Sequence, residues 1–361
     1  MSERGERLLQ VAATALLLAL GAGWIWSITH VKTAASQTPS SMTRTAGTVT
    51  SALTNADAPS TAYLTDAAVN AAVERAIRSA RGASGKLKAT IQPPAGTPKI
   101  ESLPPGTSVR YKKGGEVVSA PTGAGIWNVL LNVGNAVRPV GSLNVISMLP
   151  FTAKKNGRVG LYYLGNWPSE RGAVGPKRAP AGAYGNPAGF IEVTEENADT
   201  PVSEHFKLRD FLTHDQPNVW PKYLVLQQKL IDKLELVLSD LQAHGVDTRG
   251  ARIMSGFRTP QYNVGGGRTG GRASLSRHMY GDASDLYIDS DHDGQMDDLN
   301  HDGRISIDDA RVILAAVNRV EAAHPELVGG AGVYTAAPGH GPFIHIDTRG
   351  YPARWMGTSG G

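Results

Sequence analysis

The sequence predicts an α+β domain in which a small antiparallel sheet is flanked by helices. A small β-rich domain and an N-terminal transmembrane helix are expected to precede it. Three observations carry this expectation. Leu226, Leu230, Leu234, Val237, Leu238 and Leu241 recur at helical spacing within residues 222–244, the stripe of a helix that buries one face, and Gly245 follows as its stop. Two short apolar-flanked runs, one from Ser276 to Asp285 and one from Phe343 to Asp347, have the character of strands or turns and not of helix. Within residues 106–200, β-prone runs at 109–111, 129–131, 143–146 and 159–163 alternate with Gly, Pro and Asn clusters.

A chain of 361 residues is long enough for about two domains plus accessory segments. Its net charge of +4 is spread along the chain without a basic block, which argues against a nucleic-acid partner. With no cysteine, disulfides and thiolate metal ligands are excluded. Oligomeric state is not legible.

Taken in order, residues 1–32 read as a signal anchor. Residues 8–28 are largely apolar and uncharged, enough to cross a hydrocarbon core of ~30 Å as a helix, and Trp24 and Trp26 stand at its distal end. The alternative, a cleaved signal peptide, has a shorter apolar region of about 7–15 residues. The expectation is therefore a single-pass membrane protein with its catalytic domain outside the cytoplasm. Residues 33–105 read as a Ser/Thr/Ala/Pro-rich linker with one short packing helix within 63–81. Residues 106–200 form the β-rich domain, where Tyr162, Trp167, Tyr184 and Phe190 are either a binding face or, the plainer reading, core. Residues 201–361 form the catalytic domain. There residues 251–255 read as a strand, and the glycine-rich stretch 264–273 as a loop at the mouth of the site.

His278 and Asp285 stand seven positions apart, and His345 follows sixty residues after Asp285. Two ligands from one hairpin and a third from a separate strand leave the fourth tetrahedral position of a zinc ion open, which distinguishes catalytic from structural zinc sites. The absence of H-E-x-x-H excludes the thermolysin arrangement.

Ser276, His278, Gly281, Ala283 and Asp285 match the S-x-H-x-x-G-x-A-x-D signature of the zinc D-alanyl-D-alanine carboxypeptidases and endopeptidases of the lysostaphin/D-Ala-D-Ala/hedgehog group. His345 and Asp347 match that group's later H-x-D, and Arg354 and Trp355 its R-x-W with one residue fewer. Ser255, Arg258, Pro260 and Asn263 resemble its SGYRxPxxN segment. The resemblance covers roughly residues 201–356 and implies a zinc peptidase acting on peptidoglycan stem or cross-link peptides. It implies zinc on His278, Asp285 and His345, and Arg258 toward a substrate carboxylate or developing oxyanion. Some members carry Glu three residues before the last histidine; here Pro342 stands there, and His340, five before, matches the catalytic histidine of others. His340 is accordingly the candidate acid/base, and Asp347 and Ser276 are expected to support the ligands from behind.

Between the second and third zinc ligands lies an acidic insert, residues 289–309. Asp298, Asn300, Asp302, Gly303 and Asp309 fall at positions 1, 3, 5, 6 and 12 of an EF-hand-like loop, with Asp where Glu is usual. Asp289, Asp291, Asp293 and Gly294 begin a second, incomplete one. One or two structural calcium ions are expected, the plainer alternative being a solvated acidic loop. The apolar spacing after residue 310 predicts a helix. The competing function is a non-catalytic, calcium-dependent cell-wall-binding module on a peptidase fold.

Overall fold

The computed structural model describes residues 71, 74–75, 77–94, 96, 107–133, 136–170, 184–265 and 272–357, all within the unit Thr61–Gly361. Period-two alternation builds the first sheet. Strands β1 (Ala89–Gln92), β2 (Thr107–Lys113), β3 (Glu116–Val118), β4 (Gly125–Val133) and β5 (Ala136–Ser147) lie in the order β1-β5-β4-β2-β3. Trp127, Val129 and Leu131 of β4 and Leu143 and Val145 of β5 share one face and bury it with Tyr111 and Ile77.

Next come β6 (Leu149–Pro150), the ribbon of β7 (Arg158–Val159) with β8 (Tyr162–Tyr163), β9 (Gly189–Val193) and β10 (Lys222–Leu224). β6, β9 and β10 form a three-stranded antiparallel sheet. Helix α1 (Gln228–Ala243) therefore starts later than the leucine stripe suggests. The apolar run at its head is ambiguous between helix and strand, and pairing of Lys222–Leu224 with β9 decides for strand. Leu230, Ile231, Leu234, Val237, Leu238 and Leu241 form the buried face of α1.

The third sheet holds the site. Strand β11 (Ala251–Ser255), the short helix α2 (Pro260–Gly265), β12 (Ala283–Ile288), helix α3 (Ile307–Ala323), β13 (Gly330–Tyr334), β14 (Phe343–Asp347) and β15 (Ala353–Gly357) follow in sequence. The strands lie in the order β11-β12-β14-β13-β15. Leu286 and Ile288 of β12, Ile344 and Ile346 of β14, and Ala331 and Val333 of β13 face the larger core, against which α1 and α3 pack. Alternation then puts Asp285, His345 and Gly332 on the opposite face. The core also takes in Tyr162, Trp167 and Phe190, so these aromatics pack inside and present no binding face.

Two expectations are corrected. The class is mixed α/β with several sheets and not α+β on an antiparallel sheet. After β14 the chain reverses and crosses to the far side of β13, so β15 pairs with β13 in parallel, and β1 likewise runs parallel to β5. No helix among the described residues is long and apolar enough to cross a membrane, so the single-pass membrane expectation and the localisation built on it find no support there. Residues 8–28, on which that expectation rested, lie outside the described residues, as does most of 264–273.

Candidate metal centre

Strand register assembles the site in one row. Ser255 pairs with Asp285, Asp285 with His345, His345 with Gly332 and Gly332 with Trp355, across all five strands of the third sheet. A register shift between Ile253 and Ser255 brings Ser255 opposite Asp285. Gly332 leaves the row open: a Cβ there would come within 2.1 Å of the Trp355 ring. The indole leans across it to 5.2 Å from the His345 ring, centroid to centroid.

His278 reaches the same place from the 3-10 turn Arg277–Tyr280. Gly281 closes that turn at φ 66, and a Cβ there would meet Val225 O at 2.2 Å, so only glycine fits this motif position. Trp167 Nε1 donates to Met279 O at 2.8 Å and pins the turn to the core. Arg258 N donates to His278 O at 3.3 Å, which holds the segment after β11 against the turn.

His278 Nε2, His345 Nδ1 and Asp285 Oδ1 converge. The pairs lie 3.1 Å (His278–His345), 3.2 Å (His278–Asp285) and 3.0 Å (His345–Asp285) apart. The three residues are 2%, 4% and 7% exposed for His278, Asp285 and His345. The outer ring atoms decide the tautomers. His278 Nδ1 is 2.6 Å from Gly256 O, which only accepts, so Nδ1 carries the hydrogen and Nε2 of the neutral ring is a lone pair. His345 Nε2 is 3.1 Å from the Asp347 carboxylate, so Nε2 carries its hydrogen and Nδ1 points inward as a lone pair. Two lone pairs and a carboxylate oxygen facing one another repel unless a cation or proton stands between them. Zinc ligands at about 2.0–2.1 Å in a tetrahedron stand roughly 3.3–3.4 Å apart, within a few tenths of the spacing observed. The donor set, two imidazoles and one carboxylate, fits zinc.

The electrostatics say where the proton goes in the metal-free chain. Burial, and next the Arg258 guanidinium, push His278 down to about 4. Burial also opposes charge on His345, but hydrogen bonds to Asp285 and Asp347 outweigh it and hold His345 above the ordinary histidine value. Asp285 lies well below the carboxylate range: burial raises it, while His278 and Arg258 prevail. Asp347 is lowered likewise, burial being overcome by His345 and Arg349.

The other expected residues divide. Asp347, fully buried, accepts from His345, from Gly330 N at 2.7 Å and from Arg349 N at 3.0 Å. Arg258 Nη2 is 2.5 Å from Asp285 Oδ2 and its Nε donates to Ser255 Oγ at 2.8 Å, so it clamps the ligand carboxylate. Ser276 heads the His278 turn, its carbonyl accepting from Met279 N at 3.2 Å. His340 stands apart from the three donors. It lines a cleft of about 90 Å³ with Met254, Tyr287, Gly294, Gly339, Gly341 and Pro342, and its ring meets the edge or face of Phe343 at 5.1 Å.

In the acidic insert, Asp298, Asn300, Asp302 and Asp309 turn their side-chain oxygens onto the loop's own main chain. Asp298 accepts from Gly303 N at 2.8 Å, Asn300 from Asp302 N at 2.9 Å, Asp302 from Arg304 N at 2.9 Å and Asp309 from Ser306 N at 2.7 Å. Asp293 accepts from Gln295 N at 2.8 Å. Asp289 and Asp291 come together instead with Asp297, their nearest oxygens all within 4.8 Å of one another. Sequence reasoning missed Asp297, although it holds position nine of the loop opening at Asp289, a position that supplies ligands in such loops.

Two further groups were not singled out. Tyr334 stacks on Phe343 at 4.6 Å and its hydroxyl accepts from Trp355 Nε1 at 2.9 Å; burial pushes its phenol up. Lys233, fully buried in α1, bonds Glu321 at 2.6 Å and Asp347 O at 2.7 Å, bracing β14 from behind. Arg354 of the R-x-W segment closes on the same Glu321. No family model, curated protein or solved structure matches this chain.

Proposed function

We propose that the chain is a zinc-dependent peptidase that hydrolyses peptidoglycan stem or cross-link peptides, as a D,D-carboxypeptidase or an endopeptidase. The observation that carries this reading is the convergence of His278 Nε2, His345 Nδ1 and Asp285 Oδ1, buried and with both tautomers fixed. Zinc in such a set supplies Lewis acidity toward a carbonyl oxygen and toward water. The chain's own residues do the rest. Gly256 O and Asp347 keep the inward nitrogens deprotonated. Arg258 holds Asp285 in place and offsets its charge, and Trp355 shields His345 from solvent. His340, in the neighbouring cleft, is the group for proton transfer. The residues argue for metal-assisted hydrolysis; the peptidoglycan substrate rests on the resemblance of the motifs around Arg258, His278, Asp285 and His345.

The test is mass spectrometry of defined muropeptides incubated with the full chain, with zinc, with chelator, and with His345→Ala. Chelator-sensitive loss of one D-alanine identifies a carboxypeptidase, and conversion of dimers to monomers an endopeptidase. No product from folded, zinc-loaded protein overturns the reading in favour of a wall-binding module.

A further inference from the structure

The end of β12 carries a second group of oxygen donors. Asp289 follows four residues after the metal-centre residue Asp285, and is 1% exposed. Its Oδ2 accepts from Arg252 Nε at 3.0 Å, but its buried Oδ1 has no hydrogen-bond partner among the described residues. A buried carboxylate oxygen left bare is costly, and native structures rarely keep one without a donor or ion. Asp291 and Asp297 each bring an oxygen within 4.8 Å of the Asp289 carboxylate. Their other contacts are local: Asp291 accepts from Asp293 N at 3.2 Å and Asp297 from Ser290 N at 2.9 Å. Three carboxylates meet one guanidinium, and the second nearby base, His292, is itself turned to Arg252 Nη2 at 3.1 Å and Asp289 O at 3.1 Å. The balance is negative.

We propose that Asp289, Asp291 and Asp297 bind a hard divalent cation of the calcium class, and that the ion fixes the wall of the His340 cleft. All-oxygen donors select hard cations over zinc, and a spread of 4.8 Å suits ligand distances of about 2.3–2.6 Å. The coupling is geometric. Asp297 N donates to Ile288 O at 2.8 Å, so the loop leaves and rejoins the end of β12. Between those anchors Gly294 lines the cleft with His340. Gly341 lies against Gln295 and Met296, where a Cβ would be 3.5 Å from each. An ion gathering 289, 291 and 297 therefore sets the position of the segment facing His340. The ion site stands independently of the peptidase reading; only the functional meaning of the His340 link rests on it.

The test is calorimetric titration of the full chain with calcium chloride, zinc-loaded and zinc-depleted, followed by hydrogen–deuterium exchange. One calcium per chain is expected in both states, with affinity lowered about tenfold or more by Asp289→Asn and by Asp297→Asn and unchanged by Asp302→Asn. Circular dichroism establishes that each variant is folded. Calcium should slow exchange in residues 289–297 and 339–342 together. Absence of binding by the folded chain at millimolar calcium overturns the site, as does binding that survives both Asp289→Asn and Asp297→Asn. Equal affinity for magnesium overturns the calcium class, and protection confined to 289–297 overturns the link to His340.

Discussion

The His278–Asp285–His345 centre and the acidic loop after it both crowd acceptors together, and they hold them by opposite means. In the centre, His278 is tied to Gly256 O and Asp285 to Arg258, 22 and 27 residues away, and His345 to Asp347, its same-face neighbour on the paired strand β14. In the loop, Asp298, Asp302 and Asp309 bond main-chain donors two to ten residues away. The centre is thus placed by strand pairing and burial, and the loop by its own turns. A site built on paired strands keeps its geometry when its ligand leaves, whereas a loop of self-bonded carboxylates depends on local sequence. Changes to sheet residues should therefore move zinc affinity, and changes in the 298–309 loop should not.

The largest effect short of removing a ligand is expected from Asp347→Asn. An amide can present its NH₂ to His345 Nε2 and lets the inward nitrogen take the hydrogen, so zinc affinity should fall about 10–100-fold in a chelator competition. Unchanged affinity would remove the tautomer argument. The pH dependence follows from the shifts of the two histidines. His345 is raised and His278 lowered to about 4, so as pH falls through the His345 value one proton competes with the metal, and affinity drops about tenfold per pH unit until a second competes near 4. Calorimetry in buffers of differing ionisation enthalpy should count one proton released per zinc in that window; two would show that His278 is charged as well.

Gly332→Ala is expected to lower stability by about 1–3 kcal/mol, because its Cβ must displace the Trp355 ring, and the melting midpoint reads it. The smallest effect belongs to the loop side. Ser306 caps α3 by accepting from Asp308 N at 3.1 Å, and Ser306→Ala should cost ~1 kcal/mol while leaving zinc affinity intact. A loss of zinc affinity in this variant would break the distinction between the two regions.

What was legible in the sequence is what short spacing encodes. The turn carrying His278, the strand carrying Asp285, the buried face of α1 and the helix after the acidic loop all rest on neighbours within a dozen residues. What was not legible depends on register and on partners far away. Nothing near Gly332 announces that it lies between His345 and Trp355, and nothing near Lys233 shows that it will support Asp347. Lys222–Leu224 looked helical because three residues carry no period of their own, and their pairing with β9 was invisible. β15 became a parallel strand through a crossing that no local pattern records. Asp297 was hidden by overlap, since it sits one residue before the more complete loop that begins at Asp298.

The most direct test of the account is native mass spectrometry of the full chain loaded with zinc, beside His278→Ala and His345→Ala variants shown to be folded. One zinc per wild-type chain, lost from both variants, is the expected result. A wild-type chain that takes up no zinc, or variants that keep it, would contradict the metal centre and the function built on it.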